Sequence, residues 1–416
     1  MWRILIRAMK TAAIIFSVTA STVGGNSDGG SDTAHTPSKI RDIPEKVLIG
    51  YASHNYDNVR KAVMEDGVNI VIWAFIEIVS SGDGSVEEIK VGEGDYHQPT
   101  LMSRQRALNN NSTRPRGEVR TGLDLESIKR LMEELDAKGY SHVLHLASFG
   151  GWNGPHLDQS LDAEEWYMAW EKSAASDTFH GVDWDLEGND EVTSANNVFT
   201  LDCLDKMGEI SRLMVKEGYV VTMAPPQSYL NFSSSNFSRY VNLTDPVRGW
   251  HGDFHYYGNN VYAYLLANYG DCCIDLVSVQ MYESYSDAAM AVYDGGMAAG
   301  DYLVGFVRDL ANRNQTFVVD FSGDPELGHA GARPVGMPLS KLVIGLANGW
   351  AAEEAGDKIF YASGAECREA YLELRGSGTR DLTPRGFMFW TIEERGAGEV
   401  YLGREIGEFL HGDKDK

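Results

Sequence analysis

The chain has 416 residues, of which 36 are Lys or Arg and 60 are Asp or Glu, giving a formal charge of −24 at pH 7. Such acidity, with no dense basic run anywhere, excludes a nucleic-acid binder, because a phosphate polyanion is met by clustered cations. With 43% hydrophobic and 11% aromatic residues the chain is far from the composition of disordered proteins, and no uninterrupted apolar stretch of about 18 residues is present to span a membrane.

In chain order, the first segment, MWRILIRAMKTAAIIFSVTASTVGG, places Arg3, Arg7 and Lys10 ahead of a short apolar run, with small residues near Ala20. This pattern predicts a secretory signal over 1–20 and a secreted, extracellular protein. A Gly, Ser and Asp-rich tether over 21–43 follows and has nothing to bury, so disorder is expected there. Sequons begin at Asn110, Asn111, Asn231, Asn236, Asn242 and Asn314, as in a glycoprotein of a eukaryotic secretory route. Four cysteines, Cys203, Cys272, Cys273 and Cys367, allow three complete pairings; neighbours Cys272 and Cys273 make poor partners because a bond between them strains the backbone.

Eight short apolar, β-rich runs come next: KVLIGYA (46–52), NIVIWAFIEI (69–78), SHVLHLASF (141–149), FHGVDWDLE (179–187), YVVTMAP (219–225), CIDLVSVQMY (273–282), KLVIGLA (341–347) and GFMFWTI (386–392). Amphipathic patterns lie between several of them, clearest in LDLESIKRLMEELDAKG and FTLDCLDKMGEISRLMVKEG, each closed by Gly. Apolar strands alternating with helices predict a parallel sheet covered on its faces, and eight such units predict an α/β fold, the (β/α)8 TIM barrel. The long connections, 80–122 and 227–271, read as elaborated loops within one domain. Between the seventh and eighth strands there is room for one helix and no inserted subdomain.

The most informative run is FHGVDWDLEGND. Side chains alternate faces along a strand, so Asp183, Asp185 and Glu187 share one face while Val182, Trp184 and Leu186 form an apolar opposite face. In a barrel the acids point inward. Crowding them there is electrostatically costly, and such a cost marks a functional site. The alternatives are an edge strand with a solvated acidic face, which the buried neighbouring strands and Trp184 disfavour, and a Mg²⁺ or Ca²⁺ site, which lacks a further oxygen-rich loop. Glu187 stands nearest the carboxyl end of its strand, on the barrel face where TIM-barrel active sites lie.

The same residues carry a family resemblance. GVDWDLEG resembles the D-x-x-D-x-D-x-E strand of glycoside hydrolase family 18, the chitinase family, matching at Asp183, Asp185 and Glu187, with His180 in place of the first Asp. In the same order, ASFGGW (147–152) is similar to the family's S-x-G-G segment, TMAP (222–225) resembles its fifth strand, VQMY (279–282) ends in Tyr282, and FMFW (387–390) ends in Trp390. The resemblance spans roughly 46–410 and implies a single catalytic domain over 44–412 without an insertion between strands seven and eight.

The resemblance implies a secreted endo-acting chitinase that cleaves β-1,4 bonds between N-acetylglucosamine units, with the substrate's acetamido group as nucleophile. Glu187 is then the acid, Asp185 orients the acetamido N–H, Asp183 shares a proton with Asp185, and Tyr282 hydrogen-bonds the acetamido carbonyl. Trp390 gives the sugar an apolar floor, and Gln280, Met223, Tyr51, Phe75, Gly150, Gly151 and Trp152 line the substrate site. Trp152 and Trp350 are further sugar platforms or loop anchors. The partners implied are chitin or N-acetylglucosamine-containing oligosaccharides, with no cofactor and no metal. His142 and His145, three apart in a strand, face opposite ways, and Gly252 interrupts the helical spacing of His251 and His255. Parity places His180 on the outer face of its strand, where a neutral His supports the strand as an Asp would. Two alternatives remain: an endo-β-N-acetylglucosaminidase acting on N-glycans, and a non-catalytic chitin-binding lectin, which retention of Glu187 disfavours.

Overall fold

Strand alternation and helix capping together build the expected barrel. The computed structural model describes residues 42–81, 117–191, 193–241, 260–270, 272–283, 286–352, 359–376, 381–393 and 402–412. The expected signal and the tether up to residue 41, the sequons at Asn110, Asn111 and Asn242, both His251 and His255, and the Trp350 side chain lie outside them.

The strands are β1 (Val47–Ala52), β2 (Ile70–Ser80), β3 (Gly117–Thr121), β4 (Leu144–Gly151), β5 (Gly181–Leu186), β6 (Val220–Met223), β7 (Leu276–Gln280), β8 (Thr316–Asp320), β9 (Ala332–Gly336), β10 (Leu342–Ala347) and β11 (Gly386–Trp390). Parallel pairing runs β1-β2-β4-β5-β6-β7-β10-β11 and returns to β1, which closes an eight-stranded (β/α)8 TIM barrel. Each of these eight strands falls within one of the apolar runs found in the sequence, or differs from it by a residue or two at an end.

Around the barrel lie α1 (Tyr56–Asp66), α2 (Leu125–Ala137), α3 (Ala163–Glu171), α4 (Ala174–Thr178), α5 (Leu201–Lys216), α6 (Ala263–Tyr269), α7 (Asp287–Tyr293), α8 (Ala299–Asn312), α9 (Gly364–Arg375) and α10 (Leu402–Leu410). The two amphipathic segments singled out in the sequence are α2 and α5. Asp124 and Thr200 cap their N-termini by accepting from the backbone N–H of Ser127 and Cys203. Gly139 and Gly218, just past their ends, take positive φ and stop them. Only α9 and a short 3-10 turn occur between β10 and β11 among the described residues.

Two elements were not anticipated. Within the long 80–122 connection, β3 pairs antiparallel with the end of β2 and extends that strand beyond the barrel rim. Between α8 and β10, β8 and β9 form an antiparallel hairpin, with Phe317 and Val319 buried and Thr316, Val318 and Asp320 exposed. A buried ion pair ties this hairpin to the segment after β6: Arg239 donates to Asp324 at 2.8 Å and to Glu326 at 2.6 Å. The pair's worth lies in fixing one arrangement, since removing either partner strands a buried charge.

The barrel strands divide the core by parity. Val47, Ile49, Ile70, Ile72, Leu144, Leu146, Val220, Leu276, Val343 and Met388 fill the barrel interior, whereas Leu48, Val71, Trp73, Val182, Trp184, Val221, Val277, Ile344 and Phe387 face the helices. Trp184 is fully buried against Phe149 (5.6 Å between ring centroids) and Trp166 (5.8 Å), and its indole N–H donates to Ser211 on α5 at 2.9 Å. Burying side chains of this size contributes ~1.5–3 kcal/mol each and fixes which face of β5 looks inward.

All four cysteines are free thiols. Asn231 is buried and its amide donates to Asp287 at 2.8 Å, which closes that sequon to a glycan in the folded protein. Asn236 and Asn314 are exposed.

Candidate active site

Strand β5 delivers the acids as its alternation requires. Val182, Trp184 and Leu186 pack outward, Asp183 and Asp185 point into the barrel, and Glu187 follows directly after the strand at its carboxyl end. Asp183, Asp185 and Glu187 are all buried.

Asp183, the deepest, is held by hydroxyls from three other strands. Tyr51 (2.7 Å) and Ser148 (2.8 Å) donate to Oδ2, and Thr222 (2.6 Å) donates to Oδ1. Burial raises its pKa, and these donors, Thr222 foremost, work against that rise by favouring the carboxylate. Asp185 feels Asp183 through its charge and is hydrogen-bonded to Glu187.

Asp185 and Glu187 are hydrogen-bonded to each other. The Gln280 amide donates to Asp185 Oδ1 at 2.8 Å, to Glu187 Oε1 at 3.3 Å and to the Ala224 carbonyl at 2.6 Å, so one side chain orients both acids. Burial, then the charges of Glu187 and Asp183, push the Asp185 carboxyl well above the usual carboxylate range. Burial also raises Glu187, to about 7, against the hydrogen bonds from Gln280 and Asp185. Near neutral pH the pair therefore retains a proton, and Glu187 is poised between acid and base.

The aromatic residues gather at the same mouth. Trp390, at the end of β11, lies 5.3 Å from Tyr51 and stacks on Phe75 at 6.1 Å with planes 23° apart. Phe75 occupies a register shift in β2, and the peptide bonds Ala74–Phe75 and Trp390–Thr391 are cis. Tyr282 is buried in the barrel interior, where burial and then Asp185, Glu187 and Asp183 push its hydroxyl well above the usual phenol range. Gly150 and Gly151 have φ of 108° and 80°. A Cβ on Gly150 would lie 2.5 Å from the Asp185 carbonyl, and one on Gly151 would lie 2.5 Å from the Phe75 ring, so the acids and the aromatic floor both require glycine there.

One expected substrate contact is placed elsewhere. Met223 is a correction: Thr222 points inward to Asp183, so Met223 faces the other way, fully buried in the layer between barrel and helices. Trp152 is half-buried, and its indole N–H donates to Asp190 in the loop after β5 at 2.7 Å. His180 obeys parity. Its Nδ1 accepts from the His145 backbone N–H at 2.9 Å, outside the barrel, while Trp73 donates to His145 Nδ1 at 3.1 Å.

Several residues of the site escaped the sequence reading. Ser148 and Thr222 sit in segments recognised there, but nothing in those segments shows that their hydroxyls meet Asp183. Tyr262 comes from the long 227–271 connection, and His156 and Glu283 from the loops after β4 and β7, none of which carries a periodic signal. Burial and then the charges of Asp185, Glu187 and Asp183 raise Tyr262. Glu283 is raised to about 8 by burial and accepts from the Ser228 backbone N–H at 2.7 Å and its hydroxyl at 3.1 Å.

No protein-family profile and no curated protein matches the sequence. Among solved structures, the chain is similar to a GH18 chitinase from Pseudoalteromonas aurantia (14% identity, TM-score 0.47, 88% of this chain and 99% of that one). It is also similar to the Ostrinia furnacalis Group IV chitinase (13% identity, TM-score 0.44, 88% and 100%) and to the class V chitinase from Nicotiana tobaccum (11% identity, TM-score 0.43, 88% and 99%).

Proposed function

We propose that the protein is a secreted endo-acting chitinase that hydrolyses β-1,4 bonds between N-acetylglucosamine units with retention of configuration, using the substrate's own acetamido group as nucleophile. The observation that carries this reading is the contact between Asp185 and Glu187. A two-carboxylate retaining enzyme holds its acid and its nucleophile ~5–5.5 Å apart, on opposite sides of the anomeric carbon. Hydrogen-bonded carboxyls stand on one side, and Asp183 is sealed below them by Tyr51, Ser148 and Thr222. Glu187 is then the only one of the three free to protonate the leaving oxygen, and the nucleophile comes from the substrate.

In the first step Glu187 gives its proton to the glycosidic oxygen, the acetamido carbonyl oxygen bonds to C1, and the C1–O bond breaks. Asp185 takes up the acetamido N–H and stabilises the cationic oxazolinium-like intermediate, and the Tyr282 hydroxyl donates to the acetamido oxygen. In the second step Glu187, now a carboxylate, takes a proton from the water that attacks C1, and the bond between C1 and the acetamido oxygen breaks to restore the acetamido group. Trp390, backed by Phe75 and Tyr51, offers the sugar a flat apolar face. Among the described residues α9 is the one α-helix between β10 and β11, which supports an open groove and internal cleavage.

The test offers the purified protein chitin oligosaccharides and a high-mannose glycoprotein side by side. Shorter oligosaccharides from the first substrate alone are expected. Release of glycan from the second would assign the N-glycan endoglycosidase instead, and binding without product would assign a lectin.

A further inference from the structure

Strand β5 ends at Leu186, and the backbone carbonyls from there onward take partners other than a neighbouring strand. The Tyr262 hydroxyl donates to the Leu186 carbonyl at 3.0 Å, His156 Nε2 lies 2.8 Å from the Glu187 carbonyl oxygen, and the Asn153 backbone N–H donates to the Gly188 carbonyl at 3.0 Å. The first two of these bonds flank one residue. The peptide plane before the Glu187 Cα ends in the Leu186 carbonyl and the plane after it in the Glu187 carbonyl, so their orientations set φ and ψ of Glu187 and the direction in which its side chain leaves the backbone.

Both side chains are themselves immobilised. Burial pushes His156 down to about 4, so above pH 5 its ring is neutral. A carbonyl only accepts, so the ring's one N–H is on Nε2. The imidazole packs on Phe199 with centroids 4.4 Å apart, and Phe199 also meets Tyr262 at 6.2 Å and Tyr229 at 5.5 Å. One aromatic cluster, drawn from the connections after β4, β5 and β6, thus carries both donors. Neither residue belongs to the acidic motif.

We propose that His156 and Tyr262 are positioning residues for Glu187, pinning the two peptide planes on either side of its Cα so that the carboxyl stays against Asp185 and Gln280. The kinetic consequence rests on the glycosidase reading above; the geometric one does not. A displacement of ~1 Å at a reacting group costs up to ~10²-fold in rate, so loss of one pin is expected to cost ~10-fold.

The experiment compares wild type with His156→Phe, which keeps the ring packing and removes the donor, Tyr262→Phe, which removes one hydroxyl, and His156→Gln, which restores an N–H. Two readouts are taken: kcat and KM on a chitin oligosaccharide, and titration of the Glu187 carboxyl by ¹³C NMR, with Glu187→Gln identifying the resonance. Both Phe variants are expected to lower kcat ~10-fold with KM changed less than ~2-fold, and His156→Gln to recover most of the loss. The Glu187 titration, about 7 in the wild type, is expected to fall toward the ordinary 4.5 in both Phe variants, because a released carboxyl gains water and burial is what raised it. An unchanged titration and an unchanged kcat in folded Phe variants, with only the melting temperature lowered, would overturn the proposal. If the wild type turns over no N-acetylglucosamine oligosaccharide, the glycosidase reading fails, and the carboxyl titration alone still decides whether the two side chains position Glu187.

Discussion

Replacing Glu187 by Gln removes a titrating group while keeping its shape, and its effect on stability should depend strongly on pH. The folded protein holds the Glu187 proton up to about 7, against 4.5 for an ordinary glutamate, so the folded state binds that proton more tightly than the unfolded one. The sign follows from linkage: the stability linked to this group is fully present below pH ~4.5 and is lost as pH rises through about 7. At ~1.4 kcal/mol per tenfold, the interval corresponds to ~3 kcal/mol. Gln is neutral throughout, so the variant should match the wild type at pH 4 and exceed it by up to ~3 kcal/mol at pH 8. Removing the Glu187 charge also relieves Asp185, which acts in the same direction. Urea unfolding of both proteins at pH 4, 6 and 8 measures the difference directly. A difference that does not change across this range would refute the assignment of a buried, raised carboxyl to Glu187.

The same Glu187→Gln variant should lose ~10² to 10⁴-fold in turnover on chitin oligosaccharides while still binding them, as measured by steady-state kinetics and calorimetry. Wild-type kcat/KM should decline tenfold per pH unit on the alkaline side of about 7, where Glu187 gives up its proton, and a profile flat to pH 9 would contradict this. Early-time NMR of the hydrolysis products should show the β anomer first, since two inversions retain configuration; an α product would mean direct attack by water. His180→Ala should cost at most ~10-fold, ~1.4 kcal/mol in the barrier, against a much larger loss for Asp185→Ala at matched folded fraction. Equal losses would mean that His180, bonded to the His145 backbone outside the barrel, nonetheless reaches the proton chain.

Period-two alternation made the inward face of β5 legible, because polar and apolar residues differ at every step from Val182 to Glu187. In β6 the run Val220–Met223 is apolar on both faces apart from Thr222, so its phase is set only by the bond from Thr222 to Asp183. Met223 was misplaced for that reason. The spacing of Asp183 and Asp185 showed a shared face but not what else reaches it; Tyr51 lies 132 residues before Asp183, and a hydrogen bond at that separation leaves no mark on local sequence. The hairpin of β8 and β9 does carry a signal, since Thr316–Asp320 alternates exposed and buried, but exposed Val318 interrupts the polar face, so the residue types do not mark the alternation. His156 and Tyr262 act on backbone carbonyls, which every residue possesses, so nothing at Leu186 or Glu187 announces them.

The three hydroxyls on Asp183 also link assembly to chemistry. They come from β1, β4 and β6, and β1 is the strand at which the barrel closes, pairing with both β2 and β11. A fragment spanning β2 to β7 would carry Asp183, Asp185 and Glu187 yet lack Tyr51, leaving a buried carboxylate oxygen short of a donor at a cost of about 1–3 kcal/mol. The acidic strand therefore penalises partial barrels and rewards the closed ring. A circular permutant opened between β1 and β2 would retain all three donors, whereas truncation before residue 53 would remove one and leave the acids in an incomplete shell.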